Sequence, residues 1–306
     1  MSSASALLRA LRPQQWVKNL FVLAALVFAR GEHGGQVFAW GDDARRTLLA
    51  LLAFCLGSSA IYLVNDVHDV ENDRRHPEKK NRPIAAGELP IPLALFCAGV
   101  LLVSAVALGL AADGTPQPVA WILGAYLVLN LLYSWRLKHI VLVDAFCIAA
   151  GFLLRVKAGG AAAGAAISHW LMLCTLFLAL FLALAKRRAE LELLGEERGG
   201  HRASLLEYDT GFLDQLLSVL AACAIVTYTM YTVAPETALK FGAGNHLVYT
   251  VPFVVFGLAR YLLLVHTRKG GGNPTRLFLG GDLLFGLNTL GWMATVLWCV
   301  AQRHGT

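Results

Sequence analysis

The sequence has too little charge to cover a water-soluble protein of its length. Only 15% of its 306 residues are Asp, Glu, Lys or Arg, while 57% are hydrophobic, and the mean hydropathy is +0.59. Soluble domains are about a quarter charged. The composition therefore excludes a soluble globule. At roughly 20 apolar residues per spanning helix, it predicts an all-α integral membrane protein with no separate soluble domain.

The cysteine patterns of disulfide frameworks and of zinc sites are also missing. The six cysteines lie singly within apolar runs, and none forms a CxxC pair. We interpret them as packing residues. The sequence also shows no Ser-His-Asp or Cys-His arrangement for nucleophilic catalysis. The net charge of +6 is typical of membrane proteins with basic cytoplasmic loops, so it does not indicate nucleic acid as a partner.

Nine apolar runs predict nine transmembrane helices within a single domain, residues 1–306. The runs lie at roughly 15–31, 47–64, 91–112, 117–135, 139–158, 168–186, 211–233, 247–266 and 282–302. With the N-terminus in the cytoplasm, 18 of the 26 Lys and Arg fall on the cytoplasmic side and 7 on the other. This bias predicts a multi-pass protein of the inner (plasma) membrane with a cytoplasmic N-terminus.

Two long cytoplasmic loops, at about 65–90 and 186–210, carry 22 of the 46 charged side chains and are the candidates for function. The first loop begins with Asn65, Asp66, Asp69 and Asp73, whose spacing places them along one face of a continuing helix. Carboxylates this close to a low-dielectric region require a cation among them or protonation. Oxygen ligands suit Mg²⁺ bound together with substrate phosphates. The alternative interpretation is a solvated acidic helix end.

A basic turn follows directly, with Lys79 and Arg82 before Pro83 and Gly87. Pro83 ends any helix and Gly87 permits a turn. Guanidinium and ammonium groups directed at bound phosphates would complete an anion site. The alternative is that these cations only set the topology, which explains the charge but not the compact turn.

The stretch YLVNDVHDVENDRRHPEKKNRPIAAG resembles the first aspartate motif of the UbiA superfamily of intramembrane transferases. Further stretches resemble the subfamily that transfers phosphoribose to a polyprenyl phosphate. These are RPQQWVKN from Arg12, YSWRLKH from Tyr133, GFLLR from Gly151 and KRRAEL from Lys186.

This resemblance implies a UbiA-type helix bundle, a Mg²⁺ cofactor and an active site facing the cytoplasm. The implied reaction moves 5-phosphoribose from phosphoribosyl diphosphate to a polyprenyl (decaprenyl) phosphate for cell-wall arabinan (arabinogalactan) synthesis. The implied catalytic residues are Asp66, Asp69 and Asp73, and with Asn65 they are the implied metal ligands. The implied substrate-binding residues are Lys18, Asn65, Lys79, Arg82, Tyr133, Lys138, Lys186, Arg187, Glu190 and Tyr208. A homo-oligomer is left open.

The second loop separates this reaction from prenyl transfer to an aromatic or quinone-precursor acceptor. Aromatic prenyltransferases of the superfamily carry a second acidic motif there, whereas this chain has Lys186, Arg187 and Arg188. Three cations favour an additional phosphorylated substrate. The prenyltransferase alternative survives because Glu190, Glu192, Glu196 and Glu197 lie in the same loop. A transporter would place its ionisable residues near mid-membrane, whereas here they concentrate at one face.

Three further polar residues are ambiguous. Asp144, one to two turns into the fifth predicted span, is expected to be functional or to form a buried pair. Arg155 is expected to be structural or to snorkel to the far side. Tyr208 is expected either to contact ribose hydroxyls or to anchor the loop at the interface.

Overall fold

The computed structural model describes residues 3–24, 26, 41–76, 79–113, 119–194, 208–241, 246–267 and 282–302, and all regular structure in them is helical. The α-helices are α1 (Ser3–Leu11), α2 (Asp42–His68), α3 (Val70–Arg75), α4 (Ile91–Ala112), α5 (Val119–Trp135), α6 (Val143–Ala162), α7 (His169–Leu194), α8 (Thr210–Val233), α9 (Pro235–Phe241), α10 (Val251–Thr267) and α11 (Leu283–Gln302). Short 3-10 helices occupy Pro13–Leu23, Lys79–Asn81, Leu137–His139 and His246–Thr250.

Six helical segments in the described part of the chain are long and apolar enough to cross a membrane. They coincide with α2, α4, α6, α7, α8, and α10 with the 3-10 turn before it, and shorter apolar helices coincide with α5 and α11. Together they match eight of the nine predicted spans. The all-helical membrane fold is thus confirmed, whereas the count of nine and the orientation stay predictions.

The first predicted span differs from expectation. Its N-terminal part belongs to the 3-10 helix Pro13–Leu23 rather than to an α-helix, and residues 27–40 lie outside the described residues. The backbone of this 3-10 helix lies against α6, because a Cβ added at Gly159 would overlap the carbonyl oxygen of Val22. Gly159 is therefore a close packing contact between α6 and this 3-10 helix.

The chain divides into two compact units. The first unit comprises Met1–Val27, Phe38–Trp135 and Leu154–Ala166. Within it α2 packs along α4, and Gly57 lets these helices approach α5, whose Leu127 Cδ2 would lie 3.2 Å from an added Cβ. α1 packs on α2, and a second cluster of buried residues joins Ala6 and Ala10 of α1 with Leu63 of α2 and Ala94 of α4.

The second unit comprises Phe28–Val37, Arg136–Leu153 and Ile167–Thr306. Its main packing is α7 against α8, around a core that includes Phe181, Leu217 and Tyr261. Aspartates cap two of its helices: Asp209 accepts from the Phe212 N–H at 3.0 Å, and Asp282 accepts from the Phe285 N–H at 2.9 Å. These caps satisfy amide groups that the first helical turn leaves without partners.

Hydroxyl groups inside the apolar helices bond to their own backbone. Thr175, Thr227 and Thr289 each donate to the carbonyl four residues earlier, at 2.7–2.9 Å. Such bonds hide polar atoms from lipid. Large apolar side chains cover the outside, among them Phe96, which is 69% exposed, and Trp121, which is 78% exposed. These surfaces are those of a multi-pass membrane protein.

Candidate active site

The acidic motif lies where α2 passes into α3. Asp69 sits at the junction, and its N–H donates to the Asn65 carbonyl at 2.9 Å, while the Asp73 N–H donates to the Asp69 carbonyl at 2.8 Å. Hydrogen bonds of the α-helical type thus continue through the break. Asn65, Asp69 and Asp73 consequently follow one another along one face, as their spacing predicts.

Two of the carboxylates are buried and share one arginine. Asp66 and Asp73 are each 3% exposed. Nη1 of Arg82 donates to Asp66 Oδ1 at 3.1 Å and to Asp73 Oδ2 at 2.6 Å. The cation that such a pair of buried carboxylates requires is here supplied by the basic turn.

Arg12 is a second partner of Asp66. Its Nη2 donates to Asp66 Oδ1 at 2.6 Å and to Oδ2 at 2.8 Å, and its guanidinium lies 4.9 Å from the centre of the Tyr62 ring. The backbone of Arg12 is left-handed, with φ of +52°, which is uncommon for a residue other than glycine. The sequence assigned Arg12 only to topology and to the resemblance. The pairing joins residues 54 positions apart, and no periodic pattern reports such a contact.

The turn that carries Arg82 is fixed by its own hydrogen bonds. The Ala86 N–H donates to the Arg82 carbonyl at 2.8 Å, and the Leu89 N–H donates to the Pro83 carbonyl at 3.0 Å. Gly87 has φ of +74°, a conformation that glycine adopts without strain. The compact turn expected from the sequence is therefore present, and it holds Arg82 against the acidic motif.

The donor set of the motif fits Mg²⁺ as a hard cation. All four predicted ligand side chains, Asn65, Asp66, Asp69 and Asp73, offer oxygen. Within the described residues, no group of three or more acidic, His or Cys side chains is spaced to hold a metal by itself. The oxygen chemistry of these side chains suits Mg²⁺, which is commonly bound by one or two carboxylates together with substrate phosphates and water.

The predicted residues of the second loop meet around Asp144 in the second unit. Asp144 is 0% and Arg187 2% exposed, and Nε of Arg187 donates to Asp144 Oδ2 at 2.6 Å. The Tyr208 hydroxyl donates to Asp144 Oδ1 at 3.1 Å and accepts from the Leu142 N–H at 2.8 Å. The expectation that Asp144 forms a buried pair is confirmed. Arg187, predicted to contact an anion, has part of its guanidinium bound to this carboxylate.

Tyr208 ties the end of the second loop to the start of α6. Burial raises the pKa of Tyr208 to about 12, and the neighbouring Asp144 carboxylate acts in the same direction. The hydroxyl therefore stays protonated at neutral pH and can donate to Asp144. Leu142, which donates to it, has φ of +63°. Of the two roles considered for Tyr208, this geometry supports anchoring.

The other charged residues described at the start of this loop are also paired. Nη1 of Arg187 donates to Glu190 Oε2 at 2.7 Å, and Lys186, whose side chain is 50% exposed, lies 3.6 Å from Glu190 Oε1. Arg188 lies 2.7 Å from Glu192 and 2.8 Å from Asp214. The residues Glu196 and Glu197 lie outside the described residues.

Lys18, Lys79, Tyr133 and Lys138 are partly buried, and each makes a contact within the protein. Arg155 is structural, as expected: it is 7% exposed, and it donates to Asn19 Oδ1 at 2.7 Å and to the Tyr126 hydroxyl at 2.8 Å.

The sequence profile of the UbiA prenyltransferase family matches residues 19–281. The decaprenyl-phosphate phosphoribosyltransferase of Corynebacterium glutamicum is 37% identical, over 97% of this chain and 87% of that protein. The protein of the same name from Mycolicibacterium smegmatis is 35% identical, over 95% of this chain and 91% of that protein.

Among solved structures, a UbiA homologue from Archaeoglobus fulgidus bound to GPP and Mg²⁺ superposes with a TM-score of 0.70. It covers 97% of this chain and 99% of that chain at 19% sequence identity. A likeness at this identity shows the fold. With the profile match and the relatives above, it establishes that the chain belongs to the UbiA prenyltransferase family.

Proposed function

We propose that this protein transfers 5-phosphoribose from 5-phosphoribosyl 1-diphosphate to a polyprenyl phosphate, decaprenyl phosphate in the relatives' name, and releases diphosphate. The observation that carries the proposal is the identity of 35–37%, over nearly the whole chain, with proteins named for this activity. The product would serve cell-wall arabinan synthesis.

The acidic motif and the basic turn have the chemistry that this reaction requires. Bound Mg²⁺ would neutralise the charge that develops on the departing diphosphate. Asn65, Asp66, Asp69 and Asp73 are the residues that would hold it, and Arg82 would bind phosphate oxygens beside it. Metal and fixed cations stabilise the leaving group electrostatically as the ribose carbon becomes cationic.

The acceptor does not require a strong general base. A phosphate monoester carries between one and two negative charges at neutral pH, so its oxygen is already a nucleophile. This agrees with a site built from carboxylates and cations rather than from a Ser-His-Asp arrangement. The water-soluble donor would reach the acidic motif from the cytoplasm, and the hydrocarbon tail of the acceptor would remain in the bilayer.

The orientation of the chain forms part of the proposal. The excess of Lys and Arg in the loops that contain Asp66 and Arg187 supports a cytoplasmic active site in the inner membrane. Nine spans, a cytoplasmic N-terminus and a single functional domain remain the arrangement that we propose, and a homo-oligomer is left open.

Prenyl transfer to an aromatic acceptor is the competing reaction within the family, and it would require acidic groups in the second loop. Two of the candidate carboxylates, Glu190 and Glu192, contact Arg187 and Arg188 at 2.7 Å. Basic residues thus lie against the carboxylates of this loop, and basic residues favour an additional phosphorylated substrate such as the phosphoribosyl donor.

The test is a transfer assay on the detergent-purified full chain with Mg²⁺. Phosphoribosyl diphosphate labelled in the ribose is supplied with a polyprenyl phosphate, and a parallel reaction supplies a prenyl diphosphate with an aromatic acceptor. Entry of the ribose label into the lipid phase, without prenyl transfer in the second reaction, supports the proposal. Transfer of the prenyl chain alone would establish the competing reaction.

Asp69→Ala is expected to abolish transfer while the protein remains folded, and EDTA is expected to stop the wild-type reaction until Mg²⁺ is restored. Asp42→Ala is the matched control, because Asp42 is an exposed carboxylate at the opposite end of α2. Full activity of Asp69→Ala would refute the metal assignment.

A further inference from the structure

Arg12 binds Asp66 in the acidic motif, and a role in setting the membrane topology alone does not explain this contact. We propose that Arg12 binds a phosphate group of a substrate, and that Asp66 is the positioning residue that holds Arg12 and Arg82 side by side for that group. The proposal rests on the proposed function in one respect, namely that the substrates are phosphorylated.

Three positions on one stripe of α2 fix the N-terminal segment. The Ser59 hydroxyl donates to the Leu11 carbonyl at 2.9 Å, the Tyr62 ring lies under the Arg12 guanidinium, and Asp66 binds it through both oxygens. Spacings of three and four residues place these side chains on one helix face. The last turn of α1, which ends immediately before Arg12, is thereby hydrogen-bonded to α2.

The backbone of Arg12 adopts a costly conformation in this place. Its φ of +52° lies in the left-handed region, which disfavours side chains other than those of Gly, Asn and Asp. Such strain persists only where surrounding contacts impose it, and it is concentrated at binding and catalytic sites. Here the contacts with Ser59, Tyr62 and Asp66 impose it.

Both guanidinium groups keep donors for a ligand. Among the contacts between described residues, Arg12 uses Nη2 and Arg82 uses Nη1 for hydrogen bonds to the acidic motif. The side chains are 23% and 29% exposed, whereas Asp66 is buried. The Nε and second terminal nitrogen of each arginine therefore remain to bind an oxyanion, and the planar group matches two phosphate oxygens at once.

The shared Asp66 gives the pair its specificity for a multiply charged oxyanion. One buried carboxylate orients two cations that would otherwise repel each other. Their common target is a phosphate or diphosphate group, which belongs to the sugar donor or to the lipid acceptor. The test must therefore separate these two sources.

Binding is measured directly on the full chain in detergent with Mg²⁺, by titration with pyrophosphate, with ribose 5-phosphate and with micelles containing a polyprenyl phosphate. Arg12→Gln is expected to weaken binding of at least one probe by about tenfold to about a hundredfold, the loss of one charge-assisted hydrogen bond. The probe affected identifies the group that Arg12 binds. Unchanged affinity for all three would overturn the proposal.

Arg45→Gln is the matched control, since Arg45 forms an exposed pair with Asp42 near the other end of α2 and is expected to leave all three affinities unchanged. A general loss of affinity in this control would mean that Arg12→Gln measures overall charge, which would overturn the proposal.

Arg12→Lys separates binding from structure without changing the acidic motif. Lysine keeps a positive charge beside Asp66 but lacks the planar group that matches two phosphate oxygens. Affinity between that of wild type and that of Arg12→Gln supports the inference, and affinity equal to that of Arg12→Gln contradicts it.

The outcome is distinct from that of the proposed function. A wild-type chain that binds these probes through Arg12 but transfers no phosphoribose would refute the proposed reaction and leave the inference standing.

Discussion

At the scale of single residues, the buried charge of Asp144 is stabilised by its partners. The Asp144 carboxylate, at 0% exposure, has Arg187 on one oxygen and the Tyr208 hydroxyl on the other. Removing one member of a buried pair leaves the other charge in an apolar environment, which costs far more than the loss of an exposed pair.

Asp144→Asn is expected to lower stability by about 3–5 kcal/mol, because Arg187 keeps its charge without its buried counter-ion. The measurement is the melting temperature in detergent, or unfolding by denaturant. Asp42→Asn, which removes an exposed partner of Arg45, is expected to cost at most about 1 kcal/mol. Equal effects of the two changes would show that the Asp144 pair is solvated in the membrane-embedded protein.

Sequence reasoning reached some of these pairs and missed others. Asp144 is identifiable from the sequence because an ionisable residue inside an apolar run requires a partner. The sequence does not identify that partner, because Arg187 lies 43 positions away. Arg12 was overlooked for the same reason. The turn around Arg82 is identifiable because Pro83 and Gly87 restrict the backbone conformation at their own positions in the sequence.

At the scale of elements, the 3-10 helix Pro13–Leu23 packs its backbone directly against Gly159 of α6, which has no side chain. The backbone of Val22 occupies the space that a Cβ at Gly159 would need. Arg155, one turn earlier on α6, holds Asn19 of the same 3-10 helix at 2.7 Å. Glycine and arginine thus act together to dock this segment on α6.

Gly159→Ala is expected to force the segment away from α6 and to destabilise the protein by about 1–3 kcal/mol, the usual cost of overpacking. Gly99→Ala in α4 is the control. A Cβ added at Gly99 has no atom within 4 Å, and alanine favours a helix. Thermal unfolding of both variants is the measurement. A neutral Gly159→Ala would show that the contact is loose in solution.

Tyr208→Phe tests how the second loop is tied to α6. The change leaves the Leu142 N–H without its acceptor and Asp144 without one donor, which is expected to cost about 1–3 kcal/mol. Tyr249→Phe, at a tyrosine that is 57% exposed, is expected to have little effect. Hydrogen exchange at the Leu142 amide measures the contact directly, and protection that survives in Tyr208→Phe would refute it.

At the scale of the whole molecule, apolar runs predicted eight of the helical spans because lipid imposes one requirement on length and composition. The first predicted span did not follow this rule over residues 13–23, where Pro13, Asn19 and the approach to Gly159 determine the local structure. Hydropathy detects burial in lipid, but it does not detect a segment held by specific contacts.

The proposed orientation is tested by labelling single cysteines in a variant without native cysteines. Lys80→Cys lies in the basic turn, and Glu236→Cys lies on α9, which the topology places outside. A membrane-impermeant maleimide is expected to label Glu236→Cys in intact cells and Lys80→Cys only after permeabilisation. The reverse pattern would contradict the orientation.

The stripe of α2 that binds the N-terminal segment also sets an order of assembly. Arg12 leaves the ribosome before Asp66, from which 54 positions separate it. The nascent N-terminus can therefore reach its final place only after α2 has been synthesised and inserted. Until then Arg12 lies in solvent or at the lipid headgroups, so the ion pair between Arg12 and Asp66 forms only after α2 is in place.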